Sequence, residues 1–264
     1  MISKSERLLI FRFLFSKKSD GYVSIFAWFS IIGISLGVAA IIIVMSVMNG
    51  FRIDLTNRII GLNSHLNIYS FDNEITNKQA DELILNIDNS FFYQHYKTIE
   101  TNGLIIKSNN SKGVMIKGYD EYDKNHYLFN SISMGALIQN PKSEILIGDS
   151  LANEMNLNVG DKVKIAIPKT DKTILGNIPR FKTLEVVGVF DLGLYEYDSN
   201  LIFLSSELVR KLLLYDEDIY NKIEFFTSSP NEIELFKNKV ELETSNLLLN
   251  FYSISWKDQN KTLI

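Results

Sequence analysis

The sequence predicts an α+β protein carried on one N-terminal transmembrane helix, and two stretches predict it. From Gly21 to Phe51 it reads GYVSIFAWFSIIGISLGVAAIIIVMSVMNGF, 31 consecutive residues without a charge. From His65 onward, short runs of alternating apolar residues are interleaved with capped helical segments, in mixed order and without an internal repeat.

The apolar run exceeds the roughly 20 residues that cross a bilayer's hydrocarbon. We place one helix over Val23–Val47, inside a segment spanning 22–48. A cleaved signal has an apolar region of about 7–15 residues ending in small side chains. This run is longer and ends in Val47, Met48 and Phe51, so an uncleaved anchor is expected. Lys4, Arg7, Arg12, Lys17 and Lys18 precede it, and only Arg52 and Arg58 follow closely. Flanking positive charge stays inside, which predicts a single pass with a cytoplasmic N-terminus and an extracytoplasmic body. Residues 1–21 form the lead, with a basic and apolar interfacial helix over 4–18.

Within the span, Gly33-Ile34-Ser35-Leu36-Gly37 matches the G-x-S-x-G pattern of serine hydrolases. That pattern needs a strand–turn–helix setting to expose its serine, and here apolar helix surrounds it. Gly33 and Gly37 read instead as a small-residue face on which another helix can pack closely. Asn49-Gly50-Phe51 breaks the apolar pattern, and Phe51, Leu55, Ile59 and Leu62 continue a helical stripe that Gly61 should end.

HLNIYS reads as a strand. Thr76-Asn77-Lys78-Gln79 is a capping box for a helix with Ala80, Leu83, Ile84 and Ile87 on one face. Phe91–Ile106 and Lys112–Gly118 read as strands, and Asn130–Ser143 as a loop. Ile145–Gly148 is a short strand before a helix over Asp149–Asn156. Asp161–Pro168 and Thr183–Phe190 are strands joined by the thirteen residues PKTDKTILGNIPR, Pro168–Arg180. A connection longer than a hairpin turn needs points to function. Asp191–Leu204, with Asp191, Glu196 and Asp198 beside Tyr195 and Tyr197, reads as a solvated turn. A helix over Glu207–Tyr215 and a strand over Lys222–Phe226 follow. Ser229-Pro230-Asn231-Glu232 is a second capping box, ahead of Ile233, Phe236, Val240 and Leu247, and Leu249–Ile254 closes the body as a strand.

The 264 residues carry a net charge of −4 and 46% hydrophobic residues. The acidic balance gives no support to nucleic-acid binding. With no cysteine there are no disulfides and no thiolate metal sites. His65, His95 and His126 have no metal-ligand spacing, and no phosphate-cradling G-x-x-x-x-G-K-[ST] or H-E-x-x-H occurs. No cofactor and no catalytic residue are expected; the chain reads as a non-enzyme.

Three segments carry a family resemblance. The first is Gly33–Val38 with Val44-Met45-Ser46-Val47-Met48-Asn49-Gly50-Phe51 and Ile59-Ile60-Gly61-Leu62. The second is Gly113-Val114-Met115-Ile116-Lys117-Gly118. The third runs through Ile145–Gly148, Val159-Gly160-Asp161, Leu175-Gly176, Ile178-Pro179-Arg180, Val187–Phe190 and Gly193-Leu194-Tyr195-Glu196-Tyr197-Asp198-Ser199, and Trp256–Asn260 adds to it. Together they resemble the LolC/LolE family of MacB-like permeases in lipoprotein-releasing ABC transporters of Gram-negative bacteria.

The resemblance implies an inner-membrane subunit that works with a cytoplasmic ATPase, a second permease subunit and a soluble periplasmic carrier. The family's cargo is lipoproteins taken from the membrane lipid. It implies a periplasmic domain of two α+β lobes: 49–130 with 220–262 near the membrane, and 131–219 inserted, bearing a hook-like loop at 168–180. Carrier binding then falls to Pro168, Lys169, Lys172, Ile174, Leu175, Ile178, Pro179 and Arg180. Val44, Met45, Met48 and Phe51 sit on one side of the span's outer end, where flexible methionines suit acyl chains. The family has three further spans beyond the point where Ile264 falls. A chain without them is expected to be one part of a split or truncated permease. Its alternative is a single-span anchored binding module.

Overall fold

The structure is a computed structural model that describes residues 5, 6, 8, 9, 21–62, 64–122, 126–173 and 176–261. The side chains of 21–24, 55, 57–59, 61, 62, 168–173 and 176–179 are outside that description. The interfacial helix expected over 4–18 thus lies for the most part outside the described residues. The chain divides into two compact units, 1–57 and 58–264.

The first unit is dominated by α1, a helix of 42 residues over Gly21–Leu62 whose end belongs to the second unit. Its Ile25–Asp54 segment is long and apolar enough to cross a membrane by length and composition. The side chains from Phe29 to Phe51 are exposed, as an apolar helix without a protein core around it must be. α1 runs through Asn49-Gly50-Phe51, as the stripe from Phe51 to Leu62 predicts, and ends at Leu62, one residue past Gly61. One glycine weakens a helix by about 1 kcal/mol, too little to interrupt hydrogen bonding that is already propagating on both sides.

Among the described residues, the second unit is built on ten strands in one sheet. In chain order they are β1 (Leu66–Ser70), β3 (Gln94–Lys107), β4 (Asn110–Tyr119), β5 (Ile132–Gly135), β6 (Glu144–Gly148), β7 (Lys162–Thr173), β8 (Gly176–Phe190), β9 (Leu201–Ser205), β11 (Lys222–Phe226) and β12 (Phe251–Ser255). Two short strands, β2 (Ile75–Thr76) and β10 (Ile219–Tyr220), pair separately. Across the sheet the order is β12-β1-β11-β3-β4-β9-β6-β8-β5, with β7 paired to β3 and β8. The described helices that join them are α2 (Asn77–Asn86), α3 (Asp149–Met155), α4 (Tyr195–Asn200), α5 (Ser206–Leu213), α6 (Ile233–Asn246) and α7 (Trp256–Gln259).

Local chemistry sets several of these boundaries. Thr76 caps α2 reciprocally: the Gln79 N–H donates to Thr76 Oγ1, and Gln79 Oε1 accepts the Thr76 N–H at 3.0 Å. Ser255 and Asp258 form the same box at α7. The box expected at Ser229 does not form. A short 3₁₀ turn, Pro230–Glu232, precedes α6, and Ser229 makes no side-chain cap bond; the fixed φ of Pro230 starts the tighter turn first. Asn130–Ser143 is not loop throughout, because β5 adds an edge strand to β8 there. Asp191–Leu204 is not a solvated turn. It contains α4 and the wholly buried β9, and Asp198 is buried, accepting the Leu192 N–H at 2.8 Å. Gly148 meets α4 so closely that a Cβ would stand 2.1 Å from the Asp198 carbonyl oxygen.

Alternation along each strand sends side chains to opposite faces, and the buried apolar residues form three groups. The first joins Leu66, Ile68, Leu83, Ile223, Phe225, Phe236 and Val240, from segments near both ends of the unit. The second joins Ile99, Ile116, Ile147, Leu151, Val163, Leu184 and Leu204. On the opposite face of the same strands, Tyr119, Leu146, Phe190 and Phe203 make the third.

His65 sits beside the first group. The Thr227 N–H donates to its Nδ1 at 2.8 Å, so its Nε2–H donates to the Ile60 carbonyl at 2.9 Å. Its backbone joins two more segments, donating to Phe225 O and accepting from the Trp256 N–H. Burial lowers its pKa below the ordinary histidine value.

Candidate docking hairpin and membrane-length helix

The thirteen-residue link predicted as a hook-like loop, 168–180, is a β-hairpin arm instead. From Lys162↔Glu185 to Ile167↔Arg180 the strands β7 and β8 pair in steady register. Pro168 and Lys169 then bulge, and pairing resumes from Thr170↔Pro179 to Thr173↔Gly176. A bulge is where a strand tolerates a proline, which has no N–H for the ladder. On its other side β7 pairs with β3 through residues 164–166. Beyond the bulge, the described partners of the two strands are each other. The arm thus reaches about 10 Å past the bulge, at about 3.3 Å per residue.

Of the residues expected to bind a carrier, Pro168, Lys169, Lys172, Ile178 and Pro179 are placed on this arm by their backbone. Their side chains, and all of Ile174 and Leu175 at the tip, lie outside the described residues. Arg180, at the base, donates from Nη1 to the Lys211 carbonyl at 3.1 Å, at the C-terminal end of α5. A cation there also meets the negative end of the helix dipole. This residue therefore anchors the arm to the body.

Sequence reading missed the surroundings of that base. Phe181, the next residue, is 55% exposed. A cavity of about 760 Å³ at Arg180 is walled by Asp120, Arg180, Glu207, Arg210, Lys211 and Glu217 among others. Arg210 bonds Asp120 at 3.2 Å and lies over the Tyr220 ring. Burial and the hydrogen bond that Tyr220 donates to Asp120 push its phenol up to about 12. These residues are scattered from 120 to 220, so no local motif announces them.

On α1, Val44, Met45, Met48 and Phe51 are all exposed, and their spacing puts them on one side. A Cβ at Gly33 or Gly37 would meet nothing within 4 Å, so both present open helix surface. The G-x-S-x-G serine is inside continuous helix, which removes the geometry a nucleophile needs.

An α+β domain with an extended hairpin arm, joined to a membrane-length apolar helix, defines the class of protein. A family model of the MacB-like periplasmic core domain matches residues 27–241. The chain belongs to that family. Among curated proteins, a lipoprotein-releasing system transmembrane protein LolC of Neisseria meningitidis serogroup B is 29% identical over 213 residues, covering 79% of this chain and 51% of that protein. A LolC of Buchnera aphidicola subsp. Schizaphis graminum is 25% identical, covering 96% of this chain and 61% of that protein. A LolE of Haemophilus influenzae is 24% identical, covering 83% and 54%. The chain spans about half the length of the curated relatives it matches. Among solved structures, the periplasmic region of MacB from Actinobacillus actinomycetemcomitans aligns with a TM-score of 0.49 at 15% identity, covering 78% of this chain and 94% of that one.

Proposed function

We propose that the chain is part of a membrane subunit of an ABC transporter that releases lipoproteins from the inner membrane to a periplasmic carrier. The observation that carries this reading is the match, over most of the chain, to proteins named for lipoprotein release. In this reading α1 crosses the inner membrane with its N-terminus in the cytoplasm, and the body is periplasmic. Gly33 and Gly37 pack against a helix of the same or a second permease subunit, and a cytoplasmic ATPase drives the assembly. Val44, Met45, Met48 and Phe51 contact lipid or lipoprotein acyl chains. The body has two lobes, 49–130 with 220–262 and 131–219. The separate apolar group built from residues 66–87 and 223–256 supports that division, with β3 and β4 lending residues to the second group.

The hairpin arm at 168–180 is the carrier's docking element. A strand pair whose described partners beyond the bulge are each other suits that role, because it offers backbone edges to which a partner can add. The test is capture of the purified periplasmic carrier by the full chain in detergent. Ile174→Asp with Leu175→Asp should abolish capture, and unchanged capture would sink the docking assignment.

A further inference from the structure

We propose that a polar seam centred on Glu224 sets the angle between the first apolar group and the other two and makes them move as one body. The inference rests on the fold and is independent of the transport reading.

The seam lies where β3 changes partners. Residues 94–98 of β3 pair with β11, and 99–107 pair with β4. One strand thus passes from one core to the other. At the change-over the side chain of Asn221 acts as an extra peptide group: its Oδ1 accepts the Glu100 N–H at 2.8 Å and its Nδ2 donates to the Glu100 carbonyl at 2.7 Å.

On one face, charges from three strands converge. Glu224 of β11 meets Lys117 of β4 at 3.1 Å and Lys222 of β11 at 2.9 Å. Lys222 also meets Glu100 of β3 at 2.9 Å. Side-chain exposure is 1% for Glu224, 7% for Lys117 and 5% for Lys222. Tyr119 adds a hydrogen bond to Glu224 at 2.6 Å. Burial alone would raise the Glu224 carboxyl, yet the two lysines hold it well below the usual carboxylate range. A cavity of about 620 Å³, walled by Tyr69, Glu100, Lys117, Glu196, Tyr197 and Lys222 among others, lies over these groups. A cation–π contact also crosses: Lys97, in the β11-paired part of β3, lies over the ring of Tyr220, 5.6 Å from its centroid, and Tyr220 bonds Asp120 at 2.6 Å.

Apolar contacts are non-directional, whereas a buried ion pair holds only while its two charges stay close together. Such pairs add little net stability, because desolvation offsets attraction. Their effect is geometric: a change of angle takes Glu224, whose side chain is 1% exposed, away from its counter-charge. Lys117 and Glu224 come from the two sides of the change-over, so tilting one core separates them.

The sequence has no cysteine, which allows clean spin labelling of the full chain in detergent. Labels at Leu85→Cys on α2 and Lys162→Cys on β7, both exposed, report the distance between cores by pulsed electron paramagnetic resonance. The parent should give one narrow distance. Glu224→Gln, which takes the carboxylate from Lys117 and leaves Lys222 with Glu100 alone, should at least double the width or add a second distance. Asn221→Ala removes two hydrogen bonds without stranding a charge, and it should widen the distribution by itself if Glu224→Gln does not fold. A broad parent distribution, or a folded variant of either kind with the parent's width, overturns the proposal.

Discussion

Replacing His65 with leucine tests whether one imidazole ties together the segments that enter and leave the second unit. The ring accepts the Thr227 N–H at 2.8 Å and donates to the Ile60 carbonyl at 2.9 Å. Leucine keeps most of the volume and removes both bonds. Thr227 is buried, and an orphaned buried donor costs about 1–3 kcal/mol, with about 1 kcal/mol more for the second bond. The sum is about 2–4 kcal/mol. For a body of this size each kcal/mol moves the melting temperature by about 2–4 °C, so His65→Leu should melt about 5–15 °C lower. The pH dependence gives a second readout. Burial depresses the folded pKa, so the stability from the neutral ring is full above the unfolded value of about 6.5 and fades as pH falls through the lower folded value. The parent should therefore lose stability on acidification through that window, and the variant should lose less. Thermal unfolding of the full chain in detergent, with hydrogen exchange at Thr227, supplies both measurements. A melting temperature within about 2 °C of the parent, with Thr227 still protected, would refute the reasoning.

Two further outcomes follow from other contacts. Gly148→Ala drives a methyl into the Asp198 carbonyl, 2.1 Å from the ideal Cβ position; overpacking of that kind costs about 1–3 kcal/mol, read as a lower denaturant midpoint. Asp258 is held down to about 2, first by its hydrogen bond from Lys237. Its contribution is therefore present above the ordinary carboxylate value of about 4 and is lost as pH falls from there toward the folded value. Lys237→Met should raise the Asp258 pKa toward the ordinary value in a carboxylate-resolved NMR titration, and an unmoved pKa would count against the pair.

The sequence was legible where local chemistry and burial agree. Thr76 and Gln79 announced α2, and the alternation in KVKIAI announced β7. Reading failed where burial overrode local character. Glu196 and Asp198 made a short helix look like a solvated turn, although the apolar run Leu201–Leu204 beside them is a fully buried strand. Lys117, Lys222 and Glu224 look solvent-facing in any strand pattern, and only the neighbouring strands of a non-sequential sheet make them a buried group. The hairpin arm failed in another way. Pro168, Gly176 and Pro179 are loop signals, yet the bulge absorbs the first proline and the register carries the pairing on. For the site, the sequence located the arm, while the cavity at its base draws on residues a hundred positions apart.

One consequence lies in the order of synthesis. The first apolar group takes Leu66, Ile68 and Leu83 from one end of the body and Phe236, Val240 and Trp256 from the other. The second is drawn from residues between Ile99 and Tyr220. As the chain emerges from its N-terminus, everything the second group needs arrives first. The segment beside α1 must wait, its apolar side chains uncovered, until the last strand appears. Closing so long a loop is slow, and exposed apolar strands invite mispairing meanwhile. The chain order therefore lets the second apolar group be complete before the first, which is the one joined directly to α1.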